Sequence, residues 1–131
     1  MKIDNEKDVV RKVRVVVVDD DSVLRDAVCM LLTQETALSV VGVACDGQEG
    51  VDLVREKVPD VVIMDVRMPG VDGVEATRMI KTEHPGVAVI GLSAFDSAST
   101  KNKMLEAGAV DFITKMDGAK KLVPAILKYS R

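Results

Sequence analysis

The sequence predicts an α/β protein in which five β-strands alternate with five α-helices and form a doubly wound parallel sheet. One observation behind this prediction is a series of short Val- and Ile-rich runs that are apolar on both faces, as parallel strands are when helices cover both sides of a sheet. The other is that amphipathic stretches of helical length separate these runs. The predicted strands are residues 13–18, 38–44, 60–64, 87–91 and 109–113.

Helical patterns fill the intervals between these strands and follow the last one. The predicted helices are residues 22–35, 47–57, 73–83, 97–107 and about 119–129. Asp46 with Glu49 resembles a capping pair, which predicts a helix start. Gly108 predicts the end of the fourth helix. Pro124 lies inside the fifth pattern and has no backbone N–H, so a late start or a kink is expected there.

Composition limits the classes of protein to consider. The chain has 131 residues with 47% hydrophobic and 30% charged residues, which predicts one folded domain at 12–131 after a polar N-terminal extension at 1–11. A net charge of -3 argues against direct nucleic-acid binding, which usually needs a basic face. No stretch has the length of a membrane span and the N-terminus is not a signal peptide, so a cytoplasmic location is expected. Cys29 and Cys45 lack metal-site spacing and are expected to be reduced.

Polar side chains follow four of the five predicted strands. These residues are Asp19, Asp20 and Asp21 after the first strand, Asp65 after the third, Ser93 after the fourth and Lys115 after the fifth. Since binding sites in doubly wound sheets form at the carboxyl ends of the strands, we expect these side chains to meet at one edge. Asp21 and Ser22 are also suited to capping the first helix.

The crowded carboxylates indicate a metal-binding site and a phosphoryl-transfer reaction. Like charges at close range repel, and a divalent cation such as Mg²⁺, which prefers carboxylate oxygens and water, removes that cost. A carboxylate can also act as a nucleophile and form an aspartyl phosphate. A lysine and a hydroxyl nearby would then stabilise the charge on the phosphoryl oxygens.

Four segments closely resemble the receiver domain of two-component response regulators. They are VVVVDD at 15–20, PDVVIMDVRMPGVDGVEATR at 59–78, VIGLSAF at 89–95 and GAVDFITK at 108–115. The resemblance extends over about 13–129. It implies the flavodoxin-like form of the fold, with strand order 2-1-3-4-5.

The resemblance also implies how the metal site is divided. Asp65 is expected to be the phosphoacceptor. Asp20 is expected to bind Mg²⁺ directly and Asp19 through water. The backbone carbonyl of Arg67 would complete the ligands that the protein supplies.

A switch between two states is implied by two further positions. Ser93 matches the switch hydroxyl, which moves toward the phosphoryl group, and Phe112 matches the switch aromatic, which then turns inward. Lys115 matches the lysine that contacts the phosphate. The surface that changes is expected at 96–129, where receivers bind partners or form a two-fold homodimer. The expected phosphodonor is a sensor histidine kinase or a phosphotransfer protein.

Four positions depart from the common receiver pattern. Asp111 stands just before the switch aromatic, where a small or apolar residue would be comfortable. Met116 stands where many receivers have proline. Arg67 and Phe95 are long side chains two residues after the acceptor and after the switch serine, respectively. Because both are expected to overhang the phosphoryl group and hinder in-line attack by water, we predict slow autodephosphorylation.

Two other functions compete with the receiver. The segment DDDSV at 19–23 also fits the opening of haloacid-dehalogenase-like phosphatases, with Asp19 as nucleophile and Asp21 as general acid. Against this, the chain lacks room for a cap domain, and Asp117 is the only acidic residue close after the lysine. The second alternative is a degenerate receiver that serves only as a scaffold. The preferred interpretation is a signalling phosphoacceptor, with autophosphorylation and autodephosphorylation as its only catalysis.

Overall fold

The computed structural model describes residues 11–94 and 97–130, and its sheet has the predicted topology. The five strands are β1 Val13–Val18, β2 Leu38–Ala44, β3 Val61–Asp65, β4 Ala88–Ser93 and β5 Asp111–Thr114. All neighbouring pairs are parallel, and the order is β2-β1-β3-β4-β5. The expected flavodoxin-like arrangement is therefore confirmed.

Five helices cover the two faces of the sheet. They are α1 Ser22–Thr33, α2 Gly47–Lys57, α3 Gly73–Glu83, α4 Ala98–Ala107 and α5 Gly118–Tyr129. Alternate residues of each strand point to opposite faces. Val15 and Val17 accordingly pack in the core that includes α1 and α5, whereas Val16 and Val18 pack in the core that includes α2, α3 and α4. Both faces of β1 are thus buried, which is why its sequence is almost entirely valine.

Side chains at the helix ends explain where the helices begin. Asp21 accepts hydrogen bonds from the backbone N–H groups of Val23 at 3.0 Å and Leu24 at 3.3 Å, and so caps α1. Asp46 and Asp72 cap α2 and α3 in the same manner. The predicted caps at Asp21 and Asp46 are confirmed, because a short acceptor at these positions satisfies donors that the helix itself leaves free. The cap expected at Ser22 is wrong, since Ser22 is the first residue of α1 and Asp21 before it takes the capping position.

Two element boundaries differ from the sequence prediction in ways that matter for the site. Asp65 and Ser93 are the last residues of β3 and β4 and do not follow them. Strand pairing places Asp65 opposite Leu92 and Ser93 opposite Thr114, so both side chains are held by the sheet ladder. A backbone that is paired on the sheet fixes a side chain more firmly than a loop does.

The last strand and the last helix also begin at other residues than predicted. β5 begins at Asp111, two residues late, because the N–H of Ala109 donates to the carbonyl of Met104 at 2.9 Å and closes the end of α4. α5 begins at Gly118 after a 3₁₀ turn at Lys115–Asp117. It therefore does not start late, and it continues as a helix through the exposed Pro124.

Two further predictions can be compared with the described part of the chain. Both cysteines are free thiols, as expected for reduced cysteines. Among the helices of residues 11–94 and 97–130, none is long and apolar enough to cross a membrane.

Val58 adopts an unusual backbone conformation that generates a stability prediction. It ends α2 with φ 42° and ψ 68°, in the left-handed region that β-branched residues avoid. Val58→Gly is expected to raise the free energy of unfolding by about 0.5–1 kcal/mol, since the left-handed strain exceeds the extra entropy of glycine in the unfolded chain. Chemical denaturation measures this value. Val43→Gly is the matched control, because Val43 is similarly exposed, at 47% against 50%, but lies in a strand, where glycine should destabilise the protein.

Candidate functional site

The residues predicted from the strand ends meet at the carboxyl edge of the sheet. They line an open cleft of about 300 Å³ whose walls include Asp20, Asp65, Arg67, Ser93 and Lys115. Asp19 lies deeper and is 2% exposed. The sheet therefore brings together side chains from β3, β4 and the segments that follow β1 and β5.

Three carboxylates form the centre of this site. One oxygen from each of Asp19, Asp20 and Asp65 lies within 4.8 Å of the others. Asp19 and Asp65 are buried, whereas Asp20 is exposed at the mouth of the cleft. Such a cluster of hard oxygen atoms, open to water on one side, has the chemistry that Mg²⁺ prefers.

Lys115 lies across the two buried carboxylates. Its Nζ is 3.2 Å from Asp19 Oδ2 and 3.4 Å from Asp65 Oδ1. Burial alone would lower the pKa of Lys115, but attraction to Asp65 and Asp19 outweighs it and raises the pKa. The lysine therefore stays charged, and it partly neutralises a cluster that carries more negative than positive charge.

Asp65 is the carboxylate most affected by its surroundings. Burial, and after it repulsion from Asp19, raise the pKa of its carboxyl to about 7 against the opposing effect of Lys115. A group that titrates near neutral pH because it is desolvated beside another carboxylate is typical of a functional site.

The Asp19 carboxylate has one oxygen fixed by the protein and one directed into the cluster. Oδ1 accepts a hydrogen bond from the backbone N–H of Asp21 at 2.9 Å. Oδ2 is fully buried and has no hydrogen-bond partner among the described residues, although Lys115 is its ion-pair neighbour. A buried oxygen with free lone pairs is costly unless another group uses them. The residues present therefore fit a hydrated divalent cation.

A close backbone approach holds the end of β3 in place. The N–H of Gly73 donates to the carbonyl of Val66 at 2.8 Å. A Cβ atom at Gly73 would lie 2.2 Å from the Asp65 carbonyl oxygen and 2.7 Å from Val66 Cα. Only glycine fits at this point, because both neighbouring atoms belong to the backbone.

The residues expected to take part in a switch lie next to the cleft. Ser93 is 4% exposed at the end of β4. Phe112 is partly buried against the core, and its Cδ1 would be 3.2 Å from a Cβ at Gly91. Arg67 is exposed and lines the cleft. Phe95 lies outside the described residues.

Two features near the site were not found from the sequence. The Arg25 guanidinium donates from Nη1 to the carbonyl oxygen of Asp19 at 2.9 Å. An apolar groove of about 380 Å³ runs between α1 and α5, and Leu24 and Lys115 line both this groove and the cleft. No local pattern reveals either feature, since each depends on how separate segments pack.

Comparison with known proteins identifies similar chains. Residues 15–127 match the family model of the response regulator receiver domain. The response regulator GacA of Pseudomonas viridiflava is 40% identical over 114 residues, which are 87% of this chain and 53% of that protein. The chain thus spans about half the length of the curated relatives it matches.

Solved structures agree with the sequence matches. The signal receiver domain of NarL from Mycobacterium tuberculosis has a TM-score of 0.87 and 33% identity, covering 92% of this chain and 97% of that one. A CheX–CheY complex with BeF₃ and Mg²⁺ from Borrelia burgdorferi contains a similar chain, with a TM-score of 0.81 and 26% identity, covering 88% and 87% of the two chains.

The close backbone contact at Gly73 predicts a loss of stability when a side chain is added there. Gly73→Ala should lower the free energy of unfolding by about 1–3 kcal/mol, because the new methyl group must displace the backbone at Asp65. Denaturant unfolding measures the change. Gly86→Ala is the control, since a Cβ there meets nothing within 4 Å, and it should have little effect. Equal effects of the two substitutions would show that the contact does not constrain the strand.

The raised pKa of Asp65 predicts a pH-dependent gain in stability for Asp65→Asn without metal. In the unfolded chain this carboxyl loses its proton near its ordinary pKa of 3.8, whereas in the fold it holds the proton until about pH 7. The group therefore destabilises the fold progressively as pH rises from about 4 to 7. In EDTA, the melting temperature of Asp65→Asn should exceed that of the wild type at pH 8 and approach it at pH 4. A constant difference at all pH values would contradict the assignment.

Proposed function

This chain belongs to the response regulator receiver domain family, and from that premise we propose that it accepts a phosphoryl group on Asp65 from a histidine kinase or a phosphotransfer protein. The observation that carries this proposal is the cluster of Asp19, Asp20 and Asp65 with Lys115 at the carboxyl edge of the sheet. This arrangement supplies a nucleophile, a metal site and a fixed cation in one cleft.

The proposed reaction is a phosphoryl transfer. A carboxylate oxygen of Asp65 forms a bond to phosphorus, while the bond from phosphorus to the donor imidazole nitrogen breaks and that nitrogen keeps the electron pair. Lys115, already 3.4 Å from Asp65, balances charge on the phosphoryl oxygens.

Mg²⁺ is the proposed cofactor. Asp20 and Asp65 would hold it directly, Asp19 through water, and the backbone carbonyl of Arg67 would complete the set. Bound there, it would neutralise charge as the phosphoryl group moves. The buried Oδ2 of Asp19, which has Lys115 as its ion-pair neighbour but no hydrogen-bond partner among the described residues, supports the water-mediated contact. The Mg²⁺ in the similar CheY complex supports the choice of metal.

The proposed output is a change of surface and not a released product. Ser93 would move toward the phosphoryl group, and Phe112 would turn inward in response. The surface at 96–129, which includes α4, β5 and α5, would then bind a partner or form a homodimer. On this proposal the chain is not an enzyme beyond its own phosphorylation and dephosphorylation. A cytoplasmic location and the lack of direct nucleic-acid binding also stay predictions.

The arrangement supports the two alternatives less well. A haloacid-dehalogenase-like phosphatase needs Asp21 as a general acid, but an oxygen of Asp21 already caps α1. Asp21 lines the cleft but is absent from the carboxylate cluster found among the described residues, which contains Asp20 in its place. A degenerate receiver that serves only as a scaffold does not require the ion pairs of Lys115 with Asp19 and Asp65.

Phosphorylation gives the direct test. With acetyl phosphate and Mg²⁺, the chain should gain the mass of one phosphoryl group, and peptide mapping should place it on Asp65. Asp65→Asn should abolish the gain, and EDTA should suppress it. Asp21→Asn is the matched control and should still be phosphorylated. A phosphoryl group found on Asp19 would favour the phosphatase instead.

We predict that the side chains of Arg67 and Phe95 slow the loss of the phosphoryl group. Arg67 is exposed and lines the cleft, where its length can hinder the approach of water to the phosphorus atom. Arg67→Ala and Phe95→Ala should each shorten the phosphoryl lifetime, measured by intact mass after the donor is removed. Arg78→Ala, an exposed arginine on α3, serves as control and should leave it unchanged. The hypothesis is wrong if neither Arg67→Ala nor Phe95→Ala alters the lifetime.

A further inference from the structure

Arg25 makes a contact that connects α1 to the acidic segment after β1. Its Nη1 donates to the main-chain carbonyl of Asp19 at 2.9 Å, and the side chain is only partly exposed. β1 ends at Val18, so this carbonyl lies beyond the strand. A carbonyl in such a confined place needs a donor, and the arginine supplies one.

Each of the four polar atoms of Asp19 has a contact with another residue. Its N–H donates to the carbonyl of Ala44 at 3.1 Å, and its Oδ1 accepts from Asp21 at 2.9 Å. Lys115 lies 3.2 Å from its Oδ2, and Arg25 holds its carbonyl oxygen. Of these four contacts, the one with Arg25 sets the plane of the peptide group that joins Asp19 to Asp20.

That peptide plane matters most for Asp20. Asp20 is exposed, whereas Asp19 and Asp65 are buried and held by their surroundings. An exposed side chain has more rotational freedom, so its direction depends more on the backbone that carries it. We propose that Arg25 is a positioning residue for the metal centre, which fixes the Asp19–Asp20 peptide and thereby directs the Asp20 carboxylate toward the cation. This inference rests on the Mg²⁺ site of the proposed function.

The test compares Mg²⁺ binding by the wild-type chain and by Arg25→Met, which keeps an unbranched apolar stem and removes the guanidinium donors. Calorimetric titration with MgCl₂ without phosphodonor should show about tenfold weaker binding for Arg25→Met, as is typical when a residue that orients a metal ligand is lost. Arg25→Lys, which keeps a charged donor, should recover part of the affinity. With acetyl phosphate, the rate for Arg25→Met should reach the wild-type value at saturating Mg²⁺.

The controls separate positioning from general stability. Arg55→Met removes an arginine that pairs with Glu83 at 2.6 Å on another part of the surface, and it should bind Mg²⁺ as the wild type does. Circular dichroism checks that each variant is folded. If Arg25→Met does not fold, Arg25→Gln, which keeps a neutral donor, takes its place and should give an intermediate affinity.

The outcomes distinguish this inference from the proposed function. If the wild type binds no Mg²⁺, the proposed function fails and this inference fails with it. If the wild type binds and the Arg25 variants bind equally well, only this inference is overturned. A lower rate at saturating Mg²⁺ with unchanged affinity would also overturn it, because the defect would then lie at Asp65 and not at Asp20.

Discussion

The site depends on the repulsion between carboxylates that the fold buries beside one another. Asp19 and Asp65 are taken out of water at the carboxyl edge of the sheet, where repulsion from Asp19 disfavours the charged form of Asp65. Lys115 offsets part of this cost from the end of β5. The part of the cost that Lys115 does not offset raises the pKa of Asp65. One oxygen of Asp19 also has no hydrogen-bond partner among the described residues. A cation that binds there relieves both, so metal binding and the strain of the site are linked.

The surrounding backbone is built to keep this unfavourable cluster in place. β3 and β4 carry Asp65 and Ser93 inside the paired region of the sheet, so neither side chain depends on a free loop. Gly73 allows the start of α3 to lie directly against the Asp65 carbonyl. On the other side, Asp21 caps α1 and its N–H holds one oxygen of Asp19. Rigid support of this kind is what a preorganised site needs.

The carboxyl edge of the sheet also connects the site to the surface at 96–129, which is proposed to change when Asp65 is phosphorylated. Ser93 ends β4 opposite Thr114 of β5, and Lys115 follows Thr114 directly. Phe112 precedes them on β5 and packs where Gly91 leaves space. A shift of the strand ends toward a phosphoryl group would therefore act on the aromatic ring through adjacent, hydrogen-bonded strands. The flavodoxin-like order places these two strands at one edge, next to α4 and α5.

The sequence alone determined the elements, the helix caps and the set of residues at the carboxyl edge. Apolar periodicity and short capping residues act within a few positions, so they can be read locally, as for Asp46 before α2. The strand order and the role expected of each residue came from resemblance to a family. Only the tertiary structure decided the contacts between distant segments: Gly73 against Asp65, Arg25 on the Asp19 carbonyl, Lys115 across two carboxylates, and the late start of β5. These depend on distances of a few ångströms between parts of the chain that are far apart in sequence, and no local pattern contains that information.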